Sequence, residues 1–166
     1  VKIRLPACGD IPHLASFGPV AFQESRFAGS GYDSTKVEAK LLELVRRRPT
    51  SQCFLVAESA DGQMAGVLIG CIEKLFFNDE YSARCLIVFV TPAFRGSSAA
   101  VKLILAFKRW AENRRAVDLC IGIAGGVHPA RTDRFLKKLG FRLDGGNYSV
   151  DLRQSSTDRR VIESKR

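Results

Sequence analysis

Two spacings of apolar residues run along this chain and divide it into elements. Helical spacing, three or four residues apart, holds at Leu14, Phe17, Val20 and Ala21, and again at Val37, Leu41, Leu44 and Val45. It predicts a first helix from an Asp10 N-cap, with Pro12 in its first turn, to Gln23, and a second over Thr35–Arg48 behind Asp33 or Ser34. Gly18-Pro19 is expected to kink or split the first helix, because proline has no N–H for the ladder. Residues 24–33, rich in serine and glycine, read as a loop.

From Gln52 the pattern changes to strand-like runs. Gln52–Glu58 and Met64–Phe76 flank an Asp61-Gly62 hairpin turn, and Arg84–Val90 follows the polar turn at Asn78. Helical spacing returns over Ser98–Arg115, with Ala100, Leu103, Ile104, Phe107 and Ala111 on one face. Val117–Ala124 is a further strand, and a helix beginning at Pro129 or Thr132 runs to Lys138. Gly140 is placed for the left-handed residue that ends it. Phe141–Asp144 and Tyr148–Leu152 are expected as a last hairpin around Gly145-Gly146-Asn147. The order β-α-α-β-β-β-α-β-α-β-β predicts an α/β (α+β) domain, a mixed but mostly antiparallel sheet of about seven strands with about four helices.

One junction carries chemistry. Cys85–Val90 reads as a buried strand, Pro92 ends it, and Arg95-Gly96-Ser97-Ser98 lead into a long helix. A helix N-terminus offers unpaired N–H groups and the positive end of a dipole, so this loop suits an anion; an ordinary N-cap on Ser97 or Ser98 fits the same residues. The run Val90-x-Pro92-x-x-Arg95-Gly96-x-x-x-Ala100 resembles the acetyl-CoA-binding motif of the GNAT family of N-acetyltransferases, with Ser98 where a glycine is usual. Phe135-Leu-Lys-Lys-Leu-Gly-Phe141 is similar to a second motif of that family.

The resemblance covers residues 2–152 and implies a GNAT fold, splayed between the fourth and fifth strands. It implies acetyl-CoA as co-substrate; no metal is expected, since the chain has only two histidines, His13 and His128. The backbone of Phe89 and Val90 would meet the pantetheine arm, and Arg95, Gly96, Ser97, Ser98, Ala99 and Ala100 the pyrophosphate. Acetyl transfer needs a base for the amine and an acid for the departing thiolate. Glu24 is the expected base, because Glu24-Ser25 resembles a pair in phage and prophage acetyltransferases. Leu136 stands where the family's usual tyrosine acid would be, which moves the acid to Tyr148, with Tyr32 as a further substitute and Glu73 as a weaker carboxylate. Each has a plain structural reading as well: a helix-end glutamate in solvent, or a tyrosine packed with its hydroxyl at the surface.

Composition narrows the field. At 166 residues, 46% hydrophobic and 26% charged, the chain is that of an ordinary soluble protein, with one domain over residues 1–152 and a charged, flexible tail over 153–166. No apolar run approaches the ~18 residues needed to cross a membrane. Five cysteines without C-x-x-C spacing and two histidines read as reduced thiols in a cytoplasmic protein rather than disulfides or a zinc site. The net charge of +9 favours anionic partners, yet no nucleic-acid-binding signature accompanies it. The reading is thus an N-acetyltransferase acting on a primary amine of a small molecule or protein. The alternatives are a catalytically quiet acetyl-CoA-binding sensor and, further off, a basic nucleic-acid-binding protein; a homodimer is a family-level expectation.

Overall fold

The computed structural model describes residues 1–122 and 129–145. The elements are β1 (Lys2–Arg4), α1 (Ile11–Gln23), α2 (Ser34–Arg47), β2 (Gln52–Glu58), β3 (Met64–Lys74), β4 (Tyr81–Val90), α3 (Ala99–Glu112), β5 (Ala116–Ile121) and α4 (Pro129–Lys138). Strands β1 to β5 lie side by side in sequence order. The first four are antiparallel, β1 reaching β2 through α1 and α2 and β2, β3 and β4 joined by short turns, whereas β5 is parallel to β4 because α3 carries the chain back across the sheet.

The expected element order therefore holds through α4, with one correction to the strand count. Among the described residues the sheet has five strands, not about seven. Residues 141–145, expected to begin the last hairpin, form no strand, and Leu143 is exposed there. The partner strand expected at Tyr148–Leu152 and the tail lie outside the described residues. A second correction concerns α1, which runs unbroken through Gly18-Pro19. Its buried side chains, Ile11 and Leu14, hold it on the sheet through the site of the missing hydrogen bond. Its start also differs: a 3-10 turn at Cys8–Asp10 precedes it, and Asp10 caps no amide of α1. Instead Asp10 accepts two hydrogen bonds from Arg4, at 2.7 and 3.0 Å, and Arg4 also donates to Glu58. This joins β1, β2 and the start of α1.

Helix α2 begins as its sequence suggests, with the Asp33 carboxylate accepting the Lys36 N–H at 2.9 Å. It ends at Arg48 in the left-handed region, just before Pro49. Helix α4 ends on Gly140 at φ 86°, as expected of its cap.

Two cores lie on opposite faces of the sheet. On one, α3 packs Leu103, Ile104, Phe107 and Ala111 against β2, β3 and β4, and Leu136 of α4 joins them. The Phe107 ring sits over Gly70 of β3, where a Cβ would come within 2.5 Å of it. Glycine at this position is what lets the ring in. On the other face, α1 and α2 pack Ile11, Leu14, Leu41, Leu44 and Val45 on Phe54, Val56, Val67 and Phe89. No cysteine is paired; Cys53 is buried and Cys85 half-buried in strands, and desolvation pushes both thiols up to about 12. Among the described residues no helix is long and apolar enough to cross a membrane, and no cluster of three metal-ligating side chains occurs.

Candidate active site

The site grows from the end of β4. Strand β5 pairs with β4 only over Tyr81–Cys85, and β4 continues to Val90. From Leu86 onward its edge toward β5 therefore has no strand partner among the described residues. Leu86 has no opposite residue on β3 either, since Ile69 faces Ile87 and Gly70 faces Cys85. This is a β-bulge, a device that bends a strand and ends its pairing. Its effect is visible in exposure: Leu86, Ile87 and Val88 are 54%, 49% and 39% exposed, although they sit in the middle of an apolar run. The sheet is thus open between its fourth and fifth strands, with Phe89 and Val90 at the open edge.

The loop that follows is tied down at its start. Thr91 donates its N–H and its hydroxyl to the Ala65 carbonyl, at 3.0 and 3.3 Å. A 3-10 turn at Pro92–Phe94 then leads to Arg95, and Gly96 adopts φ 90°. A Cβ on Gly96 would meet nothing within 4 Å, so the glycine serves the backbone angle and leaves open space above the loop. Ser97 Oγ accepts the Ala99 N–H at 3.2 Å, whereas Ser98 at the N-cap position makes no side-chain cap. The N–H groups of Gly96, Ser98, Ala100 and Val101 have no acceptor among the described residues. They are the bare donors of a helix N-terminus, with the positive end of the dipole behind them.

Two residues expected in separate roles are in contact. Arg95 Nη2 donates to both carboxylate oxygens of Glu24, at 2.8 and 2.6 Å, and Arg95 Nε donates to the Val90 carbonyl at 3.2 Å. The guanidinium also stands 5.8 Å from the centre of the Phe89 ring. Glu24 caps the C-terminus of α1, so the ion pair links the end of that helix to the loop before α3. At 39% and 30% exposure such a pair is worth only about 0–1 kcal/mol. An anion with more charge can therefore take Arg95 from Glu24.

Behind this pair lies a cavity of about 580 Å³, bounded by α1, α2, the Tyr32 loop and the β3–β4 edge. Leu14, Phe17, Phe22, Val37 and Leu41 form its helical wall, and Val67 with Ile69 its floor. Glu24 and Ser25 stand at its rim, while Gly122 and Thr132 border it from the β5 and α4 side. Ser25 is engaged locally, its hydroxyl donating to the Phe22 carbonyl at 2.8 Å. The Tyr32 ring lies 5.3 Å from that of Phe22, and its hydroxyl is pressed against α1 at Gly18, where a Cβ would fall 1.7 Å away. That hydroxyl is sealed from water with no hydrogen-bond partner, and burial raises its pKa. Read from the chain alone, Gly18-Pro19 is a helix breaker; in the fold, Gly18 is the space that Tyr32 fills.

The remaining expected residues divide. Gly96, Ser97, Ser98, Ala99 and Ala100 line one loop and helix start, beside Phe89 and Val90. Glu73 stands far along β3, opposite Ser82, away from the open end of β4. Tyr148 lies outside the described residues. Leu136 is buried in the α3 core and faces no part of the cavity.

An open strand edge running into bare helix amides suits a co-substrate with a peptide-like arm and a phosphate head. The profile of the acetyltransferase (GNAT) family matches residues 21–141, a span that includes this whole junction. The chain belongs to that family. Members use acetyl-CoA as co-substrate. Solved structures of GNAT proteins have the same fold. Glucosamine-6-phosphate N-acetyltransferase from Arabidopsis thaliana is 18% identical at a TM-score of 0.71, covering 91% of this chain and 97% of that one. Ribosomal-protein-alanine N-acetyltransferase from Brucella melitensis biovar Abortus 2308 is 19% identical at 0.68, covering 92% and 100%. An aminoglycoside acetyltransferase from an uncultured soil metagenomic sample is 17% identical at 0.65, covering 91% and 97%. Identities this low speak for the GNAT fold alone. No curated protein matches the sequence.

Proposed function

We propose that this protein is an acetyl-CoA-dependent N-acetyltransferase that acetylates a primary amine. The observation that carries the reading is the meeting, at one end of β4, of an unpaired strand edge with the bare amides of α3 and the Arg95 guanidinium. Acetyl-CoA supplies the activated acetyl group. The backbone of Phe89 and Val90 would pair with its pantetheine arm as a strand is added to a sheet edge. Arg95, Gly96, Ser97, Ser98, Ala99 and Ala100 would hold its pyrophosphate through backbone donors, hydroxyls and one fixed charge.

Arg95 holds Glu24 and the Val90 carbonyl. A pyrophosphate on Arg95 would release both, freeing Glu24 to accept a proton from the acceptor's ammonium and Val90 to receive the pantetheine amide. Tyr148 is the proposed acid, since Leu136 has no proton to give. The test is thermal: at ~100-fold its dissociation constant, acetyl-CoA should add about 2.7 kcal/mol of stability, whereas unrelated polyanions should not. Equal shifts with any polyanion would reduce the Arg95 loop to a capped helix beside a basic surface. With binding established, Glu24→Gln should lower turnover by about 10²- to 10⁴-fold while keeping the acetyl-CoA shift. Full activity in that variant removes Glu24 from the reaction.

A further inference from the structure

The acceptor can be read from the cavity behind Glu24. Its volume of about 580 Å³ is that of a small-molecule site, commonly ~300–1,000 Å³. Although the chain carries a net charge of +9, no lysine, arginine or histidine is among the described residues lining it. Glu24, paired with Arg95, is the one charged side chain among the described lining residues, and it is an anion. The polar lining otherwise consists of Ser25, Tyr32 and Thr132. Ser25 is bonded within its own turn, and the Tyr32 hydroxyl is turned onto α1 at Gly18. Apart from the Cys85 thiol and the glycines Gly18 and Gly122, the other described lining residues are aliphatic or aromatic.

Each feature excludes something. Among the described lining residues a phosphorylated acceptor would find no cation, and Arg95 beside Glu24 is given to the cofactor's pyrophosphate in the reading above. A polyhydroxylated one would bury hydroxyls without partners, and an unsatisfied buried hydroxyl is strongly disfavoured. A cationic amine on an apolar body, by contrast, places its ammonium at the Glu24 rim and its body against Phe17, Phe22, Val37 and Leu41. We propose that the acceptor is a small monoamine with an apolar, aromatic-sized body, taken into the cavity between α1, α2 and the open edge of β4. This rests on the acetyl-transfer reading above and specifies its second substrate.

The experiment compares 2-phenylethylamine and tryptamine with glucosamine 6-phosphate, kanamycin and an alanine-initiated peptide, following thiol release from acetyl-CoA by the full chain. The two apolar monoamines should have kcat/KM values at least about ten-fold above the others, since each unpaired buried polar group costs that or more. Val37→Phe fills the cavity from α2 and Ala21→Leu from α1; both positions are only partly buried, so two independent variants are available should one fail to fold. Each should raise the KM for 2-phenylethylamine severalfold and leave the acetyl-CoA thermal shift unchanged. Calorimetry of the CoA-loaded protein with 2-phenylethylamine reads the same contact without turnover. A preference for the sugar amines or the peptide, or neither heat nor turnover with the apolar amines, overturns the inference while leaving acetyl-CoA binding intact. Loss of acetyl-CoA binding itself is the separate failure of the reaction assignment.

Discussion

On the face of the sheet covered by α3, Leu103 and Phe107 are wholly buried, and the Phe107 ring occupies the room that Gly70 leaves. On the face covered by α1 and α2, the helices reach only part of the strands, a cavity of about 580 Å³ remains, and Ile87 of β4 stays half exposed. The same β-rich sequence supports both, because a sheet presents alternate residues to opposite sides. The difference lies in what each face must do. A close-packed face fixes the strands and resists deformation. An excavated face leaves apolar surface for a ligand, at the expense of stability that the first face supplies.

Breaking the packed side should have the largest effect. Phe107→Ala removes a wholly buried ring and is expected to destabilise by about 3–5 kcal/mol in urea unfolding, whereas Ile87→Ala, half exposed on the open side, should cost about 1 kcal/mol or less. Similar losses at the two positions would mean that the open face is as well packed as the other. Next in size is a change confined to the open end. Arg95→Ala should weaken acetyl-CoA by about 1.5–3 kcal/mol, or roughly ten- to hundred-fold in Kd, because a charge-assisted contact is lost. Unchanged affinity would dissociate Arg95 from phosphate binding.

The smallest expected effect sharpens the contrast from the seam where α1 joins the sheet. Hydrogen bonds from Arg4 hold the Asp10 carboxyl below its ordinary value of 3.8. A lowered folded pKa means stability that is complete above the unfolded value and lost as pH falls through the folded one. Acidification through that window should therefore loosen the native protein, and Asp10→Asn should remove that part of the pH dependence. Urea midpoints collected down through this range give the comparison, and an identical acid slope in wild type and variant would remove the Arg4–Asp10 pair from acid stability.

Local pattern made most of the fold legible. The spacing of Leu103, Ile104, Phe107 and Ala111 marked the inner face of α3, and the run ending at Pro92 marked the end of β4. The motif at Arg95–Ala100 pointed to the loop that the fold places beside an open edge. What escaped depends on residues far apart in the chain. Glu24 and Arg95 are 71 positions apart, and nothing near either residue announces the other. Gly18 next to Pro19 signals a break by propensity, yet burial of Ile11 and Leu14 carries the helix through it. The hairpin expected after Gly140 rested on a turn signal at Gly145, and residues 141–145 form no strand to support it.

The fit of Phe107 over Gly70 also has a consequence along the axis of α3. A helix lying on a sheet can slide lengthwise as well as lift off, and a ring seated in a single-residue notch acts as a detent against that sliding. Phe107 lies eight residues beyond Ala99, or about 12 Å up the helix at ~1.5 Å per residue. The notch therefore sets how far the helix start projects toward the end of β4, and with it the alignment of the bare amides and the strand edge. Two binding surfaces at one end of the molecule are kept in step by a glycine more than two helical turns away.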